Sequence, residues 1–224
     1  MKYNIFFISI FISISCFSQI KYGFIGGINA GAPIPSNLPK GAKGNPGINP
    51  IFGFTTLRQT DSKFFYKASI FFEKKSASYE SPVNYNNIVI AGDTLDGFVG
   101  TAKGDFNNRY ISLPFTAFYK LYKDFSIGAG PYISYLLKGS NKGIVNGIAG
   151  RFISVPVNDQ AFDESININK IDIGANITFN YKLNNKIDFQ WQTSYGISSV
   201  TKPTDNFKDK IHNIYTNLTA SYFF

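Results

Sequence analysis

Residues 171–197 read IDIGANITFNYKLNNKIDFQWQTSYGI, and apolar and polar side chains alternate through both halves of this segment. A repeat of two residues is typical of a β-strand and not of a helix. The polar group Asn184-Asn185-Lys186 separates the halves and indicates a tight turn. When Phe179 is placed opposite Trp191, polar residues also fall opposite polar residues. The segment is therefore predicted to form an antiparallel hairpin.

The two predicted strands are long, and their faces differ in character. Strands of soluble sheets commonly have ~5 to 6 residues, whereas a tilted strand needs ~9 to 11 residues to cross a bilayer. Because these strands have the greater length, we expect their apolar face to contact lipid. The predicted lipid-facing aromatic residues are Phe179, Tyr181, Phe189, Trp191 and Tyr195.

The polar face of the same strands is expected to point into a barrel lumen. The same parity places charged side chains of other strands inside. The charged residues predicted to face the lumen are Lys67, Glu73, Lys75, Lys170, Asp172, Lys182 and Asp188. An eight-stranded barrel is just wide enough for its own side chains to fill. We therefore expect paired charges that plug the lumen, with a permeation path as the alternative.

Similar alternation recurs along the chain and predicts eight strands, joined alternately by long and short connections. The strands are expected at residues 20–30, 48–58, 64 to about 79, 109–119, 125–137, 171–183, 187–197 and 211–224. The long connections are residues 31–47, 80–108, 138–167 and 201–210. This layout is that of an all-β, eight-stranded antiparallel up-and-down transmembrane β-barrel with short periplasmic turns and long extracellular loops. Within the second long connection, Ala91-Gly92-Asp93 indicates the turn of a small hairpin outside the membrane.

The N-terminus has the features of a secretory signal peptide. Lys2 precedes an apolar run, residues 5–17, that is interrupted only by serines and is too short to span a membrane. We expect cleavage after residue 18. Residues 1–18 are then a signal peptide, and residues 19–224 form an outer-membrane β-barrel domain.

Cys16 is the only cysteine and is expected to be lost with the signal peptide. Lipidation of Cys16 is the alternative, but Ser13 stands where a lipoprotein signal usually has an aliphatic residue. A mature chain without cysteine has no disulfide framework and no thiol nucleophile.

The chain carries a formal net charge of +8. Its basic residues are spread over turns, rims and lumen without forming a stripe, so we do not expect nucleic-acid binding. Carboxylates lack calcium-loop spacing, and no helix is indicated after Gly128, Gly130 or Gly174, so we expect no metal and no cofactor. These glycines are expected to allow strand curvature and to leave room for large lumenal neighbours such as Tyr132.

His212 is the only histidine and the only candidate for an acyl-transfer base. No serine lies two residues from it, so we expect a rim residue in a protein that is not an enzyme. The carboxylate and hydroxyl candidates to pair with it are Asp163, Glu164, Ser165, Asp205 and Asp209.

Three segments carry a resemblance to a known family. Residues 110–115 read YISLPF, residues 125–132 read FSIGAGPY and residues 171–176 read IDIGAN. They resemble the PorT-like outer-membrane β-barrel family of Gram-negative bacteria, whose founding member is associated with protein secretion. The resemblance implies the barrel fold and transfers no catalytic residue.

The last residues, Tyr222 and Phe224, are similar to the C-terminal aromatic signal read by the barrel-assembly machinery. The resemblance implies that machinery as a partner, together with outer-membrane lipid and lipopolysaccharide.

We therefore expect a non-enzymatic integral outer-membrane protein with a structural, adhesive or secretion-accessory role. The extracellular loops are the expected contact for a protein partner. The alternatives are a narrow channel for small solutes, a lipid A acyl-modifying enzyme, and a soluble ligand-binding barrel. The last would place the aromatic face inside.

Overall fold

The computed structural model describes residues 20–60, 63–90, 93–150, 153–203 and 210–224. These residues form ten β-strands and one short 3-10 turn at Ser165–Asn167, and no helix among them is long and apolar enough to cross a membrane. The strands are β1 (Ile20–Pro35), β2 (Lys43–Gln59), β3 (Phe64–Ile90), β4 (Asp93–Tyr122), β5 (Phe125–Lys138), β6 (Asn141–Ala149), β7 (Val155–Asp163), β8 (Ile171–Lys182), β9 (Ile187–Gly196) and β10 (Ile211–Phe223).

Eight of the strands close into a ring in the order β1, β2, β3, β4, β5, β8, β9 and β10, and all neighbours are antiparallel. The first and last strands pair from Gly23 opposite Phe223 to Pro35 opposite Ile211. Closure leaves no sheet edge along the ring. The predicted eight-stranded ring is therefore present, and two further strands, β6 and β7, lie outside it.

The predicted hairpin of β8 and β9 has the predicted register, with Phe179 opposite Trp191. Asn184 closes the turn between them. Its Oδ1 accepts hydrogen bonds from the N–H groups of Lys186 and Ile187, at 2.8 and 2.9 Å. This Asx-type turn fixes the register because the side chain replaces a backbone hydrogen bond.

The two faces of the ring have opposite character. Inward residues of β8 are buried and outward ones exposed along almost its whole length. The outward residues of the ring form an apolar belt, which on β4 spans residues 110–119 between outward Arg109 and the short turn. Ten residues at ~3.3 Å rise, when tilted, match an apolar band ~25 Å tall.

Beyond Arg109 the strands β3 and β4 continue as an outer sheet. We use this name for residues 79–90 of β3, residues 93–106 of β4, and strands β6 and β7. Strand β6 pairs with β4 from Phe98 opposite Ala149 to Phe106 opposite Asn141, and β7 pairs with β6. This sheet curls around its own apolar core. The buried core residues are Phe98, Ala102, Val145, Ala149 and Val157.

The strands beyond the apolar belt correct three predictions. Most residues of the connections predicted at 31–47, 80–108 and 138–167 are in strands, so the expectation of irregular loops was wrong. The predicted hairpin around residues 91–93 is present but much longer, since β3 and β4 pair as far as Ile90 opposite Asp93. Strands β6 and β7 were missed entirely.

Glycines explain why the alternation in β6 was too weak to detect. Gly147 lies opposite Gly100, and a Cβ on Gly147 would be 2.3 Å from the Val99 carbonyl oxygen and 3.0 Å from Cζ of Phe98. Only glycine permits this close approach of two strands beneath an aromatic ring.

Some predictions fall on residues outside the described ranges. The signal peptide, Cys16 and most of the connection at 201–210, including Asp205 and Asp209, belong to this group. The signal peptide at residues 1–18 therefore stays a prediction.

Candidate functional site

The lumen contains a first charged layer near the short-turn end. Lys67 Nζ lies 2.5 Å from Asp188 Oδ2 and donates a hydrogen bond to Asn180 Oδ1 at 3.2 Å. Both charged side chains are almost fully buried. The ammonium also lies 5.3 Å from the ring centre of Phe223, a cation–π distance.

A second charged layer lies farther along the lumen and centres on Lys75. Its Nζ is 3.2 Å from Asp172 Oδ2 and 3.6 Å from Glu73 Oε1. Three tyrosine rings surround the same ammonium at 5.0 to 5.5 Å from their centres. They are Tyr110, Tyr132 and Tyr215.

The carboxylates of this layer are further held by neutral donors. Asp172 accepts hydrogen bonds from Asn213 Nδ2 at 2.7 Å, from Ser198 Oγ at 3.2 Å and from the Tyr132 hydroxyl at 3.3 Å. A buried ion pair is tolerated when such bonds replace the lost hydration. The layer is therefore a fixed network rather than a set of mobile charges.

Gly174 makes room for this network. A Cβ at this position would lie 2.1 Å from the Tyr195 carbonyl oxygen and 2.5 Å from Cε1 of Tyr132, so any other residue would clash with the neighbouring strand and with the ring beside Asp172. This contact agrees with the expectation that lumenal glycines accommodate Tyr132.

Little space remains beside the second charged layer. The cavity beside Lys75 and Tyr132 has a volume of about 10 Å³, about the space of one water molecule. Above it, an apolar layer formed by Phe106, Ile168, Val200 and Ile211 is buried where the barrel meets the outer sheet. The described lumen is thus filled by ionic, aromatic and aliphatic side chains.

The predicted lumen charges do not all lie in this network. Lys67, Glu73, Lys75, Asp172 and Asp188 are buried inside the ring, whereas Lys170 is exposed just before β8. In contrast to the expectation, Lys182 is exposed at the short-turn rim, where its Nζ donates to Asn185 Oδ1 at 2.9 Å. Lys182 pairs in register with the buried Asp188, so its exposure comes from its position at the open end of the ring and not from the opposite face.

Sequence reasoning missed several neutral members of the network. Tyr110, fully buried beside Lys75, was not assigned to the lumen, and the partners Ser198 and Asn213 were not identified. The strand period does place Tyr110 on the inward side, two residues before Ser112. This alternation was the sequence signal that could have identified Tyr110 as a lumenal residue.

The predicted lipid-facing aromatics are all exposed on the outer surface of the ring. They pack across neighbouring strands: Phe179 lies 6.2 Å from Trp191, and Tyr181 lies 4.8 Å from Phe125, between ring centres. The side chains of Tyr222 and Phe224 are also exposed on this surface.

His212 lies at the start of β10 and stacks on Tyr195, with 5.5 Å between ring centres. Its Nδ1 is 2.8 Å from the Gly196 carbonyl oxygen, so this nitrogen is the donor. Among the described residues, no serine or carboxylate hydrogen bonds to the imidazole. Asp163 is engaged by Lys142 at 2.8 Å. The described surroundings of His212 therefore do not form a hydrolytic triad.

The described residues also contain no group of three or more His, Cys, Asp or Glu arranged to hold a metal ion.

A closed antiparallel ring with an apolar exterior and a polar, filled interior defines a transmembrane β-barrel. Residues 17–202 match the family described as outer membrane protein beta-barrel domain. The chain belongs to this family, which places it in the outer membrane. The narrower resemblance to PorT-like proteins stays a prediction.

Solved structures with similar folds include several outer-membrane proteins. Ail, the attachment invasion locus protein of Yersinia pestis, is 10% identical, with 92% of this chain and 99% of that chain covered and a TM-score of 0.43. OprG of Pseudomonas aeruginosa is 12% identical, with coverages of 91% and 95% and a TM-score of 0.38. The protease OmpT of Escherichia coli is 9% identical, with coverages of 92% and 97% and a TM-score of 0.33. No curated protein matches this chain in sequence.

Proposed function

We propose that the protein is a non-enzymatic outer-membrane barrel that presents its outer sheet to a macromolecular partner outside the cell. The supporting observation is that the outer sheet has a buried core of its own, in which Phe98 and Ala149 are 0% exposed. A surface that is already ordered binds without paying the entropy of ordering a loop. The filled lumen, by contrast, leaves little room for transport.

The contact surface that we propose is the outward face of the outer sheet. Asn84, Val99 and Ile148 lie in one row across three strands, and Pro156 continues the row on β7. Val99 and Ile148 are 64% and 55% exposed, although they lie well beyond the apolar belt. Exposed apolar residues with a polar rim are typical of interaction surfaces.

Two exposed ion pairs bridge strands at the base of this sheet. Lys103 pairs with Glu80 across β3 and β4 at 3.5 Å, and Lys142 pairs with Asp163 across β6 and β7 at 2.8 Å. These exposed pairs contribute little stability individually. Together they bridge β3 to β4 and β6 to β7 next to the exposed row.

The same proposal includes the features of export and membrane contact. Residues 1–18 direct the chain across the inner membrane, and the barrel-assembly machinery recognises Tyr222 and Phe224. The exposed aromatics of β8 and β9 then contact lipid, and the outer rim contacts lipopolysaccharide. A secretion-accessory role and an adhesive role both use the outer sheet.

The test compares surface variants in a strain that lacks the native gene. Val99→Asn combined with Ile148→Asn alters the proposed surface, and Thr94→Asn combined with Asp96→Asn is a matched control on the same sheet. Heat-dependent gel mobility of the outer-membrane fraction checks that each barrel is folded. We expect the first variant to lose cell adhesion or protein secretion while the control keeps it.

A second variant replaces residues 141–163 with a short Gly-Ser linker and removes β6 and β7 together. If this folded barrel restores adhesion and secretion fully, the outer sheet is not the functional surface and the proposal is wrong.

A further inference from the structure

A cavity of about 60 Å³ opens at the short-turn end of the barrel, opposite the outer sheet. We call it the mouth cavity. Four lysines contribute to its wall: Lys21, Lys120, Lys123 and Lys182. The buried rings of Phe65 and Phe223 also line it.

The charges around the mouth cavity are unbalanced. Among its lining residues, Asp188 is already paired with Lys67, and the one other carboxylate is Asp124. Within the described ranges, none of the four lysines forms an ion pair. Among the lining residues, four lysines thus stand against one uncompensated carboxylate; the Lys123 ammonium lies 5.7 Å from the ring centre of Tyr122, beside the cavity. A cleft lined by one sign of charge over low-dielectric walls concentrates its field on a counter-ion.

The turns hold part of this wall in place before any ligand binds. Lys182 donates to Asn185 Oδ1 at 2.9 Å, and Lys21 donates to the Asn185 carbonyl oxygen at 3.3 Å. The backbone N–H of Lys182 also bonds to the Asp124 carbonyl oxygen at 2.8 Å, which ties the neighbouring turn to it. Two lysines far apart in sequence are therefore anchored on one asparagine.

We propose that the mouth cavity binds a single phosphate group, either free or as part of a phospholipid headgroup. Lysine is a point-charge phosphate binder with three donors on each ammonium. One water needs about 10–15 Å³, so the cavity has room for the five heavy atoms of a phosphate group and not for a nucleotide. At this end of the barrel, lipid headgroups and periplasmic solutes are both within reach.

This site is independent of the proposed partner at the outer sheet, because the two lie at opposite ends of the barrel. We therefore expect a variant that loses phosphate binding at the mouth cavity to keep partner binding at the outer sheet, and the reverse. Lys120 and Lys123, which are changed to test the mouth cavity, lie outside the outer sheet and outside the replaced segment 141–163.

The experiment uses the full mature chain folded in a zwitterionic, phosphate-free detergent. Amide shifts of Asn184, Asn185 and Asp124 in ¹⁵N-¹H spectra are followed while inorganic phosphate is added. We expect a saturable shift that weakens with added sodium chloride. In Lys120→Gln combined with Lys123→Gln, the apparent affinity should fall about tenfold or more. The matched control, Lys103→Gln combined with Lys142→Gln at the outer end, should bind as the unmodified protein does.

A second titration with short-chain phosphatidylglycerol separates the two sources of phosphate. Saturable shifts that inorganic phosphate reverses show that the headgroup enters the mouth cavity. If the unmodified protein binds phosphatidylglycerol but not inorganic phosphate, and the Lys120/Lys123 variant no longer binds phosphatidylglycerol, the site binds the phosphate only as part of the headgroup. The proposal is overturned if neither ligand gives a saturable shift, or if both bind the Lys120/Lys123 variant unchanged.

Discussion

Lys67 Nζ and Asp188 Oδ2 lie 2.5 Å apart inside the barrel, although 121 residues separate them in the chain. Strand β3 carries the lysine and β9 the aspartate, and these strands are not neighbours in the ring. The pair therefore crosses the lumen instead of following a strand pair. It connects opposite walls of the barrel at the same height along the barrel axis.

Removing one member of this pair should destabilise the barrel strongly. Asp188→Asn keeps the side-chain shape but leaves a buried, unpaired ammonium, and we expect the free energy of unfolding to fall by about 3–5 kcal/mol. Equilibrium urea unfolding in lipid vesicles measures this change. Glu80→Gln, which breaks an exposed pair, should cost only ~0–1 kcal/mol.

The pair itself is replaceable. Lys67→Met combined with Asp188→Leu should recover most of the stability lost in Asp188→Asn, since well-packed apolar residues often substitute for a buried ion pair. A double variant as unstable as Asp188→Asn would show that the charges are needed for some other reason.

Trp191 is the only tryptophan and reports on the medium outside the barrel. Its side chain is 55% exposed on the apolar belt, so in vesicles its emission should be blue-shifted and quenched by brominated acyl chains. Trp191→Phe combined with Ile153→Trp moves the probe to an exposed position just before β7, beyond the apolar belt, and should abolish this quenching. Quenching of Trp191 by aqueous iodide, without quenching by brominated chains, would contradict lipid contact of this face.

The filled lumen predicts little ion flow. In planar bilayers the protein should show no discrete conductance steps, because two charged layers and the apolar layer around Phe106 fill the barrel. An open porin in the same membranes is the positive control. Steps in the unmodified protein that change in size with Asp172→Asn would show a channel.

Asp163 on the outer sheet should titrate at unusually low pH. The hydrogen bond from Lys142, followed by those from Ser165, lowers the pKa of this carboxyl to about 2 from 3.8. Because the folded-state pKa is the lower one, its contribution to stability is full above about pH 3.8 and is lost as the pH falls through about 2. Carboxyl ¹³C shifts across this range measure it. Lys142→Gln should raise the pKa, and an unchanged value would contradict the pairing.

Phe224 should matter for assembly more than for stability. Its backbone N–H donates to the Tyr22 carbonyl oxygen at 3.0 Å, and its ring centre lies 5.7 Å from that of Phe24. Phe54 contacts the same ring at 5.3 Å and is the matched control. We expect Phe224→Ala to lower the amount of folded protein in the outer membrane more than Phe54→Ala does. Equal amounts of the two folded variants in the outer membrane would show that Phe224 has no special role in assembly.

The ring could be predicted well from the sequence. Period-two alternation in long strands gave all eight strands, and matching polar with polar residues gave the register of the hairpin at residues 171–197. Alternation works here because lipid and a narrow lumen impose opposite demands on successive side chains. Outside the membrane no lipid requires apolar residues on one face, so strands there need not alternate. For this reason the sequence of the glycine-rich strand β6 and of β7 predicts a loop.

The composition of each face was determined by sequence alone, but its contacts were decided by the tertiary structure. Parity placed Lys67 and Asp188 inside, yet only ring closure brought β3 and β9 to opposite walls at the same height. The mouth cavity likewise depends on Lys21 and Lys182 meeting at Asn185, at the point where the strands end. The physical reason is that the parity of a residue determines only whether its side chain points into the lumen or outward. The stagger of the strands and the closure of the ring determine which inward side chains lie at the same height in the lumen.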